Sequence, residues 1–574
     1  MPATPPVIAS FIREFAEKND LQELNDSDQF EHLIGHLLFR ETIHDRFSTT
    51  DIISGQGETG IDGACVVLDG NLILTEEDAK QFLINKPSSS VNADLLFFQA
   101  KTSQSFSREE ILGFADAVTD LLREEEAEIP QDAYLIEIAR IYRSLLQHAA
   151  KIDLGRATCH CFFCCLGEWK DPPPPHPMAA LRKLRSDLEA LDFFGMVEAL
   201  PVDRNNIRER WKAATQSQEA TLPTVSRFPF PGMPGVDNAI VALVRAQDFV
   251  DNVIRDSVGK VRIGIFDQNI RDFEGASNPV NQKIQSSVTS ATKRQRFGIM
   301  NNGITIVAKE MKPAADNYIL RNFQIINGCQ TSNVLNRNRE HLTGEVLLQV
   351  RLIQTSDSSV LDDVVEATNS QTMVQQHQFA ANKDLAVEIQ EFFKCYPENP
   401  AHRLHFERRK SEYTDAGLKD TRVFTIPDLA RCFGSVFLEE PHHVASTPNQ
   451  AFSMFEDRLF LETDSPIKYY TSAFAYYRLN LLKVAGKLKI PQHRLYWHVL
   501  TAARRISAGS LSANSQNRKQ QEKHCLKFLD RLWEPGEALT LFEEAHRAIQ
   551  GSAGQIDRDR LRRPGFTKEY LSKL

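Results

Sequence analysis

The spacing of apolar positions divides the chain into three stretches. In the first, QFEHLIGHLLFRE, residues 29–41, carries an apolar stripe at helical spacing, so an amphipathic helix is predicted to begin near Asp28. ADLLFFQAKTS, residues 93–103, reads as a strand. Ser107 opens the next helix. Its expected capping box is Ser107 with Glu110, and Ile111, Leu112, Phe114, Ala115, Val118 and Leu122 then recur at helical spacing. Short strands are predicted to bracket GQGETGIDG, residues 55–63, and CHCFFCC, residues 159–165, reads as a buried strand. In the second stretch, the strand-like runs RIGIFD, GITIVA, FQIING and VLLQVRLI alternate with helical and polar segments. From about residue 440 the pattern is mostly helical, as in SAFAYYRLNLLKVAGKL and EALTLFEEAHRAIQ.

Punctuation falls at DPPPPHP, residues 171–177, and in the run from Ala213 through PTVSRFPFPGMPG to Gly235. The second of these reads as a domain boundary. The expected division is an α/β domain over 1–215, a second α/β domain over 236–435, and a mainly helical region over 436–574. A chain of 574 residues with 42% hydrophobic content can bury several cores. Its net charge of −9 does not mark a nucleic-acid binder, so any such binding must be local. The first twenty residues lack a basic segment followed by an apolar one, and no run of 18 apolar residues occurs, so a cytoplasmic protein without membrane contact is expected. Nine cysteines in this length read as reduced thiols.

Candidate chemistry begins at the glycine bend, where Glu58 and Asp62 stand among four glycines. In a strand, residues two apart share a face, so Gln99 and Lys101 point together while Phe98 and Ala100 face away into the core. A hairpin carrying Asp62 beside this strand would bring its carboxylate near the Gln99 amide oxygen and the Lys101 ammonium. Mg²⁺ or Mn²⁺ takes hard oxygen ligands of this kind, and the lysine would orient water and stabilise charge on a phosphate. Two other groupings carry less. The thiols of CHCFFCC are crowded, with no second pair at zinc-finger spacing, and His32 and His36 stand at i and i+4 without an accompanying HExxH pattern.

Asp62, the Gln99-Ala100-Lys101 strand and the flanking helices, the first bearing Glu31, resemble the PD-(D/E)xK nuclease superfamily, particularly its Mrr-like members, across residues 20–170. The resemblance implies Asp62 and Gln99 as metal ligands, Lys101 as the electrostatic catalyst and Glu31 as a further site residue. One departure is Gln99, where the commoner residue is Glu; a neutral ligand holds a metal less tightly.

Further on, IFDQNIRDFEG with Asn278 and Asn281 following, then NNGITI, IINGCQT, ATNSQT and FERRK, stand in order across 250–415. In IINGCQT an apolar strand runs into Asn327-Gly328 and a helix start whose free N–H groups suit an anion. This ordered set resembles the AIPR family, named for abortive infection and phage resistance. What its domain would bind is nucleotide or nucleic-acid phosphate, through Asn302, Asn327, Gln330, Thr331, Arg408 and Arg409. The basic run QKIQSSVTSATKRQR, residues 282–296, and the Arg408–Lys410 cluster are expected to converge on the IINGCQT turn.

The expected whole is an α/β multidomain protein: a restriction-endonuclease-like N-terminal domain, a central AIPR domain as sensor or gate, and a helical region for assembly as a homodimer. It would be a Mg²⁺-dependent endonuclease of antiphage defence, acting on DNA rather than RNA. Two alternatives are a non-enzymatic regulator that binds nucleic acid or nucleotide on a degenerate nuclease fold, and a zinc-dependent interaction protein built on Cys159 to Cys165.

Overall fold

A computed structural model describes residues 4–574 except 44–45, 55–59, 85, 124–131, 216–217, 257–258, 260, 263–264, 267–278, 358–359, 362, 365–366, 368–383, 409–412, 414–416, 445–447, 491–492, 512–516, 553–555 and 557. The N-terminal unit is a five-stranded mixed sheet between two layers of helices. Its strands are β1 (Gly63–Leu68), β2 (Asn71–Ile73), β3 (Ala93–Lys101), β4 (Ala157–Cys165) and β5 (Phe194–Val202), in the order β2-β1-β3-β4-β5. β1 runs antiparallel to β2 and β3, whereas β3, β4 and β5 are parallel. On one face lie α1 (Pro6–Lys18), α2 (Asp26–Phe39) and α7 (Arg204–Thr215), on the other α4 (Arg108–Leu121), α5 (Ala133–Gln147) and α6 (Pro175–Glu189), while α3 (Glu76–Ile84) packs against α5.

Both faces of β3 are therefore buried. Leu96, Phe98 and Ala100 pack with Phe30, Leu33 and Leu37 of α2, while Leu95 and Phe97 pack with Ile111, Phe114 and Val118 of α4. The expected single core face is thus corrected: a strand covered on both sides is apolar nearly throughout, and Gln99 is a polar interruption on the α4 side. The helix α2 starts where Asn25 accepts the N–H groups of Ser27 and Asp28, with Asp26 and Asp28 in its first turn. CHCFFCC lies within β4, and its four thiols are buried.

The central unit is a six-stranded sheet of β6 (Glu219–Pro223), β7 (Ser226–Pro229), β8 (Asn238–Arg245), β9 (Ile304–Ala314), β10 (Asn317–Asn327) and β11 (Leu347–Gln354), ordered β6-β10-β9-β11-β8-β7. Only the β9–β11 pairing is parallel. Its helices are α8 (Ala246–Phe249), α9 (Pro279–Thr289), α10 (Ala291–Arg294), α11 (Phe297–Met300) and α12 (Cys329–Arg337), the last connecting β10 to β11. β6 and β7 fall inside the stretch read as a domain boundary and join this sheet. Half of RIGIFD, the rest of IFDQNIRDFEG from Asp267 on with Asn278, and all of EATNSQT but Ala367 lie outside the described residues.

The helical unit starts earlier than residue 436. Its core runs from Leu385 of α13 (Asp384–Cys395) through α14 (Ile426–Val436) and α16 (Pro466–Val484) to Leu571, and it includes Phe406 and Phe424 of the short parallel pair β12 (His405–Glu407) and β13 (Val423–Thr425). Between β13 and α16, α14 is followed by the single turn α15 (Pro441–Val444). The N-terminal unit docks on this one: Asp20 bonds Lys419, Thr421 and Tyr477, Arg46 pairs with Asp420 at 2.6 Å, and Lys487 pairs with Glu23.

One tight contact sets the start of β1. A Cβ at Gly63 would lie 2.3 Å from Cε1 of Phe98 and 2.7 Å from the Ile52 carbonyl oxygen. Gly63→Ala should therefore cost about 1–3 kcal/mol through overpacking, read as a lower midpoint in chemical denaturation. An unchanged midpoint would show that the β1–β3 junction can spread.

Candidate active site

The antiparallel register sets Gly63 opposite Phe98, so Asp62 lies just before β1, alongside the Gln99 end of β3. Its N–H donates to the Phe98 carbonyl at 3.0 Å, and its Oδ2 accepts the Ala100 N–H at 2.7 Å. Upstream, Gly60 takes φ +78, a conformation open to glycine, and the Ser54 hydroxyl donates to the Ile61 carbonyl at 2.6 Å. Those bonds hold the bend. Glu58 lies outside the described residues.

Gln99 is 5% exposed, and its Oε1 has no hydrogen-bond partner among the described residues. A buried amide oxygen left unpaired is costly unless a ligand or cation takes it. Lys101 stands two residues on, on the same side of β3, at the strand end, opposite Cys165 of β4. Glu31 comes from α2. Burial raises its carboxyl to about 8, with the charges of Asp62 and Asp28 adding to the effect and that of Lys101 opposing it. Burial also raises the Asp62 carboxyl, against Lys101 and the Ala100 N–H. Asp62, Lys101 and Glu31 thus share one electrostatic environment at the end of β3. Clustered carboxyls raised by burial beside a cation make this end of β3 the candidate site.

Sequence reasoning assigned Glu110 to a capping box. Ser107 does accept the Glu110 N–H at 3.3 Å, but its hydroxyl donates to Glu109 at 3.0 Å, and among the described residues no bond returns from Glu110. Glu110 Oε2 is instead buried without a partner, and its charge acts on Cys165, the neighbour of Lys101 across the ladder. An acid in the first turn of the helix following the candidate strand is the signal by which the sequence could have singled it out.

The distractors are structural. His32 Nδ1 meets Thr49 Oγ1 at 2.6 Å, and burial lowers His32 to about 4 and His36 to about 3. Cys159 and Cys161 are 3.9 Å apart inside the sheet, and burial pushes the Cys165 thiol up to about 12. No group of three metal-ligating side chains among the described residues includes these cysteines.

In the central unit the two Asn-Gly turns meet. A Cβ on Gly328, at φ +98, would lie 2.7 Å from Ile304 and 3.3 Å from the Gly303 carbonyl oxygen. Asn301 links them: its Nδ2 donates to Thr331 Oγ1 at 3.1 Å and its Oδ1 accepts the Gly303 N–H at 2.9 Å. Asn302 is exposed beside it, Asn327 ends β10, and Gln330 and Thr331 are buried in the first turn of α12. Of the basic helices, α9 packs on α12, with Gln285 donating at 3.3 Å to Asn338 at the end of α12 away from this turn, and α10 packs on α9. Arg408 does not follow them. It follows β12 in the helical unit, where its Nε donates to Gln390 Oε1 at 3.4 Å, and Arg409 lies outside the described residues. The expected convergence of FERRK on the α12 turn finds no support in that placement.

A central sheet with paired Asn-Gly turns, continuing into a helical unit, is one architecture from about residue 219 onward. Residues 266–551, just under half of the chain, match the family described as AIPR protein. No curated protein and no solved structure matches it. No helix among the described residues is long and apolar enough to cross a membrane.

The raised Glu31 carboxyl has a consequence for stability. Its folded value, about 8, exceeds the ordinary 4.5, so the folded state holds the proton more tightly and its stability falls as pH rises between those values. Glu31→Gln should remove that slope. In denaturation series from pH 5 to 8, the variant should gain on the wild type steadily with pH; parallel curves would show that Glu31 is solvated.

Proposed function

We propose that the chain is a metal-dependent nuclease of antiphage defence, its N-terminal unit cutting DNA and its AIPR domain sensing or gating that activity. The observation that carries the reading is the unpartnered, buried Oε1 of Gln99, alongside Asp62 in the β1–β3 register and two residues from Lys101 on the same side of β3. The donors fit Mg²⁺ or Mn²⁺, being a carboxylate and an amide oxygen rather than nitrogen or sulfur. Asp62 and Gln99 would hold the ion, which when bound polarises the phosphate and its attacking water.

The chain's own residues divide the remaining work. The Ala100 N–H holds the Asp62 carboxylate in one orientation. Lys101 offsets negative charge gathering on the phosphate oxygens. Glu31, protonated until about pH 8, becomes a proton acceptor for water near that pH. The family match supports the defence role, and the basic segment from α9 through α10, with Lys283, Lys293, Arg294 and Arg296 and no acid from 279 to 309, supports a phosphate-bearing ligand for the central unit. The neutral Gln99 favours a second reading, a binding regulator on an inactive nuclease fold.

Incubation of the protein with plasmid, linear DNA and RNA under Mg²⁺ and Mn²⁺ separates the two. Asp62→Ala and Lys101→Ala should each abolish DNA cleavage while leaving the thermal midpoint near that of the wild type, and Gln99→Glu should tighten Mg²⁺ binding. Full cleavage by Lys101→Ala, or activity without any divalent ion, would refute the assignment. For binding, Lys293→Ala with Arg296→Ala should weaken affinity for DNA and reduce its salt slope by about 2, one for each phosphate whose charge is no longer neutralised. Arg408→Ala should leave both unchanged; the reverse pattern would return the phosphate site to the FERRK cluster.

A further inference from the structure

We propose that Glu440, His442 and His443 form a site for a divalent transition cation of the zinc class, separate from the candidate active site. Each of the three offers one ligand atom, and these atoms lie within 4.8 Å of one another, the only such group among the described residues. They sit on and just before α15, which packs against the helices His493–Ala508 and Pro564–Leu571. The turn is held from both sides: the Glu440 N–H donates to the Gly434 carbonyl at 3.0 Å and the His443 N–H to the Glu440 carbonyl at 3.0 Å. His442 Nδ1 meets Thr567 Oγ1 at 3.2 Å, and a hydrogen bond at one ring nitrogen orients an imidazole while leaving the other for coordination.

Two imidazoles and a carboxylate suit Zn²⁺, with water in the fourth position, and suit Mg²⁺ poorly, since it takes oxygen donors. One contact opposes the ion. Arg458 clamps Glu440, its Nη1 and Nη2 donating to the two carboxylate oxygens at 2.5 and 3.1 Å, so a cation must share that carboxylate with it. Removing the clamp should therefore favour the ion, a response that a purely structural His-Glu cluster would not give.

The test is equilibrium dialysis of metal-free, full-length protein against Zn²⁺ with Mg²⁺ in excess. A single Zn²⁺ retained per chain is expected. His443→Gln and Glu440→Gln, both at partly exposed positions, should weaken its binding by about tenfold or more, and Arg458→Gln should tighten it. Circular dichroism confirms that each variant is folded. No Zn²⁺ retained, or the same affinity in His443→Gln and Glu440→Gln as in the wild type, would overturn the site. Asp62→Ala should retain Zn²⁺ as the wild type does, so neither result depends on the nuclease reading.

Discussion

The antiparallel pairing of β1 on β3 is the constraint from which the N-terminal site follows. Because Gly63 leaves room for the Phe98 ring, the strands close there, and because they close, the Asp62 N–H reaches Phe98 and its carboxylate reaches Ala100. Gly63 and the Phe98 ring are two halves of one contact. A shift of one residue in register would turn Gln99 and Lys101 to the α2 side and leave Asp62 without its backbone donor.

That arrangement concentrates unfavourable electrostatics at one end of the sheet. Asp62 and Glu31 are both raised by burial, Gln99 carries an unpaired oxygen, and Lys101 compensates in part. The packing on both faces of β3 sustains the cost: Phe97 and Phe98 are fully buried, each contributing about 1.5–3 kcal/mol by removal from water. A site of this kind is stable because the layers around it over-determine its geometry.

The helix α2 links this site to the helical unit. It brings Glu31 to the end of β3, and its buried His32 feels the charge of Lys483 on α16, where Val484 also packs against the N-terminal core. Asp20, in the turn before α2, is tied to Lys419, Thr421 and Tyr477. The stretch that matches the AIPR family therefore packs against the unit that supplies Glu31.

Local patterns determined the elements of this protein and which residues share a face. The period of two in FFQAK puts Gln99 and Lys101 on one side, the stripe in QFEHLIGHLLFRE makes α2, and GIDG requires glycine on either side of Ile61-Asp62. Such features depend on neighbours within a few residues, and so the sequence carries them. Only tertiary structure decided the rest. Glu31 looks like a solvated charge until α2 lies across the end of β3, and Glu110 looks like a cap until its carboxylate is seen buried near Cys165. FERRK follows the Asn-Gly motifs in order along the chain, yet Phe406 belongs to the helical core because β12 pairs with β13 further along the chain. Convergence of distant segments depends on which apolar faces cover one another, and order along a chain does not encode that.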